Sequence, residues 1–343
     1  MFLGEYMPDK NKKSIVRGPA ITCIGGGTGL STLLRGLKKV TQNITAIVAV
    51  SDDGGGSGVL REQLRMPPPG DVRNCMQALS NAEPTIEMLM AYRFVGGDLT
   101  GQSFGNLFLA AINGISESFD KAVIRMGEVL SITGRVLPVT TDDIHLRAQF
   151  EDGSEVVGES TIAEAKVERL SRIKRVELVP KDATALPACI EAIEEADMIV
   201  LGPGSLYTSI IPNLLVNGVS EAVLNSDAVK LYVCNVMTQP GETEGYTVSE
   251  HISEIFKHSG GKLFDQCLIN IEPADPTVLE RYSKRGAEIV REDAAAALQL
   301  GVNLLRGHIA AGVNNLARHD SDKLASEVMR IFYENAPTRE YGK

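Results

Sequence analysis

A chain of 343 residues, 43% hydrophobic and 23% charged, has enough apolar material for a sizeable core and the composition of an ordinary globular protein rather than a disordered one. Its formal net charge of −10 argues against an extended nucleic-acid groove, because phosphate backbones need clustered Lys and Arg. The five cysteines form no C-x-x-C pair and no apolar run approaches the length of a membrane span, which argues against a zinc ribbon and a membrane helix and for reduced thiols in a cytoplasmic protein.

Residues 1–18 read as a loose tail, basic through Lys10, Lys12, Lys13 and Arg17. AITCI at 20–24 is a short β-branched run that ends in glycines, and LSTLLRGLKKV follows with helical spacing of Leu30, Leu33, Leu34 and Leu37. ITAIVAV at 44–50 is apolar throughout, as expected for a strand covered on both faces. Strand, glycine turn, helix, strand is a βαβ unit. PPPGD at 67–71 breaks the chain, and helical patterns then run through VRNCMQALS, TIEMLMAYRF, NLFLAAING and KAVIRMGEVL. Over about 132–182 the texture becomes antiparallel: HLRAQFEDGSEVVGES reads as a hairpin about Asp152-Gly153, and RIKRVELVP as a third strand. The βα alternation resumes with LPACIEAIEEA, MIVLG, LYTSIIPNLL, LYVCNV, VSEHISEIFKH and CLINI, and closes on the helix DKLASEVMRIFYEN. The expected fold is α/β: one Rossmann-like, doubly wound, mostly parallel sheet over 19–343, carrying a small antiparallel β insert at about 132–182.

In such a sheet the chemistry collects in the loops after the strands. IGGGTGLST at 24–32 places glycines where a helix N-terminus can approach a phosphate, but only Gly25 and Gly27 match G-x-G-x-x-G; Leu30 stands at the third position, and no Lys makes a Walker loop. SDDGGGSG at 51–58 puts Asp52 and Asp53 at the end of the second strand. There an acid can hold ribose hydroxyls or Mg²⁺, or simply cap a turn together with Ser57. LGPGSLYTSI at 201–210 is a third strand-to-helix turn, whose Ser205, Thr208 and Ser209 can cap the helix or donate to an anion. The loop after LYVCNV adds Asn235, Thr238, Gln239 and Glu242. GQSFG at 101–105 fits G-x-S-x-G around Ser103, but loop residues rather than a strand precede it, which argues against a nucleophile elbow. Gly105 and Asn106 instead open a helix, with Asn106 facing the ligand. Asp71 reads as an N-cap with Arg73 exposed in the following turn, and the five histidines form no H-x-x-H or H-E-x-x-H pair.

Taken in order, IGGGTGLS, SDDGGGSG, PPPGDVRN, GNLFLAA, LGPGSLYTSI and VMTQPGETEGY, extended by RHD at 318–320, closely resemble the YvcK-type gluconeogenesis factor family, which is similar in fold to 2-phospho-L-lactate transferase. The resemblance implies a cytoplasmic bacterial protein that binds a nucleotide or a nucleotide sugar such as a UDP-sugar and serves cell shape and wall synthesis on gluconeogenic carbon sources. With the loop chemistry it gives a candidate ligand-binding set of Gly26, Gly27, Thr28, Gly29, Leu30, Asp52, Asp53, Gly55, Ser57, Arg61, Asp71, Arg73, Asn106, Gly202, Pro203, Gly204, Ser205, Thr208, Asn235, Thr238 and Glu242, with Asp52 and Asp53 the carboxylates for Mg²⁺. No catalytic residue is assigned. The acidic loop departs from the family's usual pattern: Gly56 replaces a Ser and Val59 an Arg, which leaves Arg61 as the substitute phosphate clamp. A phosphoryl-group transferase is the alternative, and an NAD-dependent dehydrogenase a third reading that lacks both the third glycine and a motif-placed acid for hydride transfer. A homo-oligomer is expected, and the insert is expected to stay clear of the ligand site.

Overall fold

The computed structural model describes residues 18–162, 164, 171–273, 275–313 and 316–336, so the basic tail expected over 1–18 lies almost wholly outside the described residues. β1 (Ile21–Gly25) and β2 (Ile44–Val48) are buried at every position, as expected of largely apolar, uncharged strands with helices on both faces. They pair in parallel, Ile21 opposite Ile44, while the other edge of β1 takes β7 (Met198–Leu201), Ile21 opposite Met198. With β3 (Arg135–Pro138), β8 (Val229–Val233), β9 (Gln266–Asn270) and β10 (Asn303–Gly307) the order is β10-β9-β8-β7-β1-β2-β3, parallel throughout. The chain first winds outward from β1 to β3, then returns to β7 on the other side of β1. The crevice at the C-terminal ends of β1 and β7 is therefore the topological switch point, where ligands of open α/β sheets bind.

β4 (His145–Phe150), β5 (Glu155–Val157) and β6 (Ile173–Val179) form the separate antiparallel sheet, in the order β5-β4-β6. Its expected start at 132 needs correction. Arg135–Pro138 pairs in parallel with β2 instead, because Val136, Leu137 and Pro138 are buried as an edge of the main sheet. The insert leans on the helix Val248–Ser259: the Val176 amide donates to His258 Nε2 at 3.1 Å, and Arg172 pairs with Glu250 at 2.9 Å.

α1 (Gly27–Leu37) buries Leu30, Leu33, Leu34 and Leu37, and packs between α3 (Gly70–Leu79) and the last helix, Ser321–Asn335. α2 (Gly55–Leu64) follows the acidic loop. α4 (Pro84–Ala91), α5 (Phe104–Gly114) and α6 (Phe119–Val129) fill the crossover from α3 to β3. A hairpin of β11 (Ala310–Val313) and β12 (Leu316–His319) crosses near the switch point. Among the described residues no helix is long and apolar enough to cross a membrane.

Candidate functional site

Two turns meet at the switch point. The turn from β1 into α1 presses against the turn after β7 so tightly that a Cβ on Gly29 would lie 2.5 Å from the Pro203 carbonyl oxygen. One on Gly26 would lie 2.5 Å from Asp71 Oδ2. The glycines are thus required by close approach, Gly29 to the backbone of the second turn and Gly26 to the Asp71 carboxylate. Asn235 clamps the second turn from below: its Nδ2 donates to the Gly204 carbonyl at 2.8 Å and its Oδ1 accepts from the Gly204 amide at 3.3 Å. Gln239 Nε2 donates to Ser205 Oγ at 2.7 Å.

Between these turns opens a cleft of about 440 Å³. It brings together Gly26, Gly27, Thr28, Gly29, Pro203, Gly204, Ser205, Asn235 and Thr238 from the sequence-derived set. Gly202 sits just behind it in a positive-φ conformation of 73°. The cleft also gathers Tyr282, Arg285, Arg318 and His319, which no loop motif assigned to the ligand. Only RHD at 318–320 marked part of this group, and nothing local marks Arg285; three-dimensional placement alone brings it to the rim. The His319 Nε2 is buried without a protein partner, and burial pushes the imidazole down to about 4, so the ring is neutral near pH 7.

A different chemistry occupies the adjoining end of β2. Asp52 Oδ1 accepts the Gly54 amide at 2.9 Å; burial holds its carboxyl above the usual range, against hydrogen bonds from Gly54 and Ser57. Asp71, on the first turn of α3, accepts the Gly27 amide, and burial followed by the charge of Asp52 pushes it up to about 6. Ser57, Asn106 and Arg73 line up beneath: Asn106 Nδ2 reaches Ser57 Oγ at 3.5 Å, and Arg73 Nε donates to Asn106 Oδ1 at 3.2 Å. Arg73 and Asn106 are both buried, so Arg73 is not the exposed residue the sequence suggested. Ser103 of GQSFG is the N-cap of α5, accepting the Asn106 amide at 3.1 Å.

The insert joins this acidic side, contrary to expectation. Asp53 accepts the amides of Glu159 and Ser160 at 3.0 and 2.9 Å, and so caps a helical turn of the insert rather than facing a ligand. That cap brings Glu159 beside Asp52 and Asp71, and burial with those two charges raises its carboxyl well above its ordinary value. Glu159 was not a sequence candidate; a lone Glu after a Gly in a hairpin carries no signal of the loop it meets.

Five further candidates lie outside the lining of this cleft. Arg61 is buried and held by Asp143 at 2.5 Å and the Ile144 carbonyl at 2.6 Å, so it does not replace the missing phosphate clamp. Leu30 is fully buried and its amide bonds the Gly26 carbonyl. Thr208 donates to Glu242 at 3.3 Å, while Glu242 also accepts the Tyr207 amide at 3.3 Å, so the start of the π-helical turn Leu206–Ile210 is already capped by a carboxylate. Gly55 takes a positive φ of 48° with open space around it.

Among the described residues no three His, Cys, Asp or Glu side chains form a ready-made metal cage. Mg²⁺ needs less, one or two carboxylates plus ligand oxygens. With both oxygens of Asp53 committed to amides, the pair that fits it is Asp52 and Asp71 rather than Asp52 and Asp53.

The family described as 2-phospho-L-lactate transferase CofD matches residues 21–310. A putative gluconeogenesis factor of Thermoanaerobacterium thermosulfurigenes is 53% identical over 92% of this chain and 98% of its own, and the gluconeogenesis factor of Bacillus subtilis is 47% identical over 92% and 99%. A crystal structure of a Bacillus halodurans member of the UPF0052 family superposes with a TM-score of 0.88 at 46% identity, covering 91% of this chain and all of that one. The ordered loops, the parallel sheet with its small insert and these relatives agree, and the chain belongs to the gluconeogenesis factors of the CofD family.

Proposed function

We propose that the protein binds a nucleotide diphosphate, of the UDP-sugar type, in the switch-point cleft and acts as a ligand-responsive factor in gluconeogenic growth, supporting cell shape and wall synthesis. The observation that carries this reading is the cleft's uneven lining. The helix N-terminus at Thr28 and Gly29 of α1 lines the same cleft as Arg285 and Arg318, an arrangement suited to a diphosphate. Tyr282 and the neutral His319 offer flat, uncharged surface for a base. Asp52 and Asp71 beside the rim suit sugar hydroxyls or a Mg²⁺ that would neutralise the phosphates. Isothermal calorimetry with UDP-sugars and with NAD, paired with mass spectrometry of whatever co-purifies, tests it. UDP-sugar binding that Arg285→Ala weakens on the order of tenfold is the expected result; no binding of any nucleotide at millimolar concentration would refute it.

A transferase is the second reading, favoured by the close carboxylates of Asp52, Asp71 and Glu159 next to that rim. Such a group can position an acceptor hydroxyl or take its proton. Release of a nucleotide product from the bound ligand, lost in Asp52→Asn even at ligand concentrations that saturate the variant, separates it from the non-catalytic reading.

A further inference from the structure

The edge of the sheet opposite the switch point carries a second cleft, of about 700 Å³. It opens below the starts of β7 and β8, between the helices Pro187–Glu194 and Val219–Asn225, and reaches Phe332 of the last helix. Every charged residue that lines it is acidic: Glu194, Glu195, Asp197, Glu221 and Asp227. Glu194 and Glu195 stand at the C-terminal end of their helix, whose last turn holds no basic residue, so both charges meet the negative end of the helix dipole. Lys230, which senses Asp227, gives its ammonium to the Leu224 carbonyl at 3.1 Å. The acids are not gathered for a metal, since among the described residues no three His, Cys, Asp or Glu side chains are placed to hold one. They are spread instead around the apolar Ile190, Ala196, Ala222 and Ala228. That combination suits lysine and arginine side chains, whose stems cover apolar surface while their charges stay at the rim.

The chain itself carries a matching segment. KNKKSIVR at 10–17 has four positive charges and no negative one. It leads into the fold at the wall of the cleft: the Ala20 amide donates to Asp197 Oδ2 at 2.9 Å, and the Ala20 carbonyl accepts the Asp197 and Met198 amides at 2.9 and 3.1 Å. Residues 1–17 lie outside the described residues, so chain length decides whether the lysines can reach. Lys13 is five residues before Gly18 and Lys10 eight, which span up to about 17 and 28 Å. β7 adjoins β1 and β8 is the next strand, so the cleft begins within about 10 Å of β1. The tether also holds the segment at an effective concentration on the order of millimolar. We propose that the basic segment 10–17 docks in this acidic cleft of its own chain. The contact ties the entry of β1 to β7, β8 and the last helix, and it is independent of any ligand at the switch point.

Carbodiimide cross-linking of the full chain at low ionic strength, read by peptide mass spectrometry, tests the proposal. The reagent joins a lysine amine to a carboxylate as an amide and itself takes up the water. Lys10, Lys12 or Lys13 is expected to join Glu194, Glu195, Glu221 or Asp227 within one copy, as judged from a mixture of light and heavy nitrogen chains. No link to these four acids, links from Lys343 in their place, or links only between copies would overturn it. A second measurement follows trypsin cleavage after Lys10, Lys12 and Lys13. Glu194→Gln with Glu221→Gln and Asp227→Asn, all at exposed positions, should be cut there about tenfold faster than the parent at low salt, with an unchanged circular dichroism spectrum. The two rates should converge near 1 M salt, where surface charges are screened. Equal rates at low salt overturn the proposal; should the variant fail to fold, the cross-links of the parent decide alone.

Discussion

The two halves of the sheet's C-terminal edge are built from similar strings of glycine yet do opposite things. Over β1, β7 and β8 the glycines let two backbones touch, and what remains accessible is N–H and guanidinium. Over β2 the loop is held by its own acids: Asp52 turns back on Gly54, and Asp53 reaches out to the insert. One half is suited to negative charge and the other to hydroxyls, protons or a cation. A ligand spanning both must itself be two-ended, with phosphates at one end and hydroxyls at the other. The lesson is that a glycine-rich loop is only permissive; the side chains that close in around it decide which charge it accepts.

The difference is sharpest where backbone meets backbone. Gly29→Ala drives a Cβ to 2.5 Å from the Pro203 oxygen, and that neighbour is main chain with little room to yield. The variant should lose about 1–3 kcal/mol in urea unfolding and lose nucleotide binding in calorimetry. Native stability with native affinity would mean that the two turns are not locked together.

Asp71 tests the acidic half through pH. Its carboxyl is raised from 3.8 to about 6, so the folded state favours the protonated form. The stability this contributes is complete below the unfolded value and is lost as pH rises through about 6. Asp71→Asn keeps an acceptor for the Gly27 amide but has nothing to ionise. It should therefore be more stable than the parent at pH 7, by up to ~3 kcal/mol, with the gap closing towards pH 4. Denaturant titrations at the two pH values read this directly, and a constant gap would remove the buried charge as its cause.

The smallest effect separates neighbours. Asp53→Asn weakens the cap on the amides of Glu159 and Ser160 and should cost under about 1 kcal/mol, because Asn caps nearly as well. Asp52→Asn, whose carboxyl burial also raises, should shift stability at pH 7 in the same direction as Asp71→Asn and lower the affinity for a Mg²⁺-nucleotide by about tenfold. Equal losses of affinity in both variants would break the division of labour between Asp52 and Asp53.

Much of this was open to reading from the chain alone. Runs such as ITCIG and ITAIV, β-branched and without a charge, read as strands covered on both faces, and the order of βα units made the sheet parallel. The glycine turns after β1 and β7 marked the sheet edge where they meet, because their position in the βα unit dictates where they end up. Boundaries were less clear: RVLP carries the same apolar character whether it edges the main sheet or opens the insert, and only pairing with β2 resolved it. The ordered loops also disclosed the family, a match that survives because it depends on sequence order and not on contacts.

What the tertiary structure alone decided was partnership. Asp52 and Asp53 are adjacent and chemically identical, yet one remains in the site and the other caps a helical turn more than a hundred residues away. Arg61 was a plausible clamp until Asp143 held it, and Glu159 and Arg285 were unremarkable until the insert and the residues after β9 folded back to the edge. Local sequence sets backbone conformation and burial pattern, since those depend on near neighbours and periodicity. A side chain's role depends on which distant group takes its hydrogen bonds and its charge, and that is settled only when the chain has closed on itself.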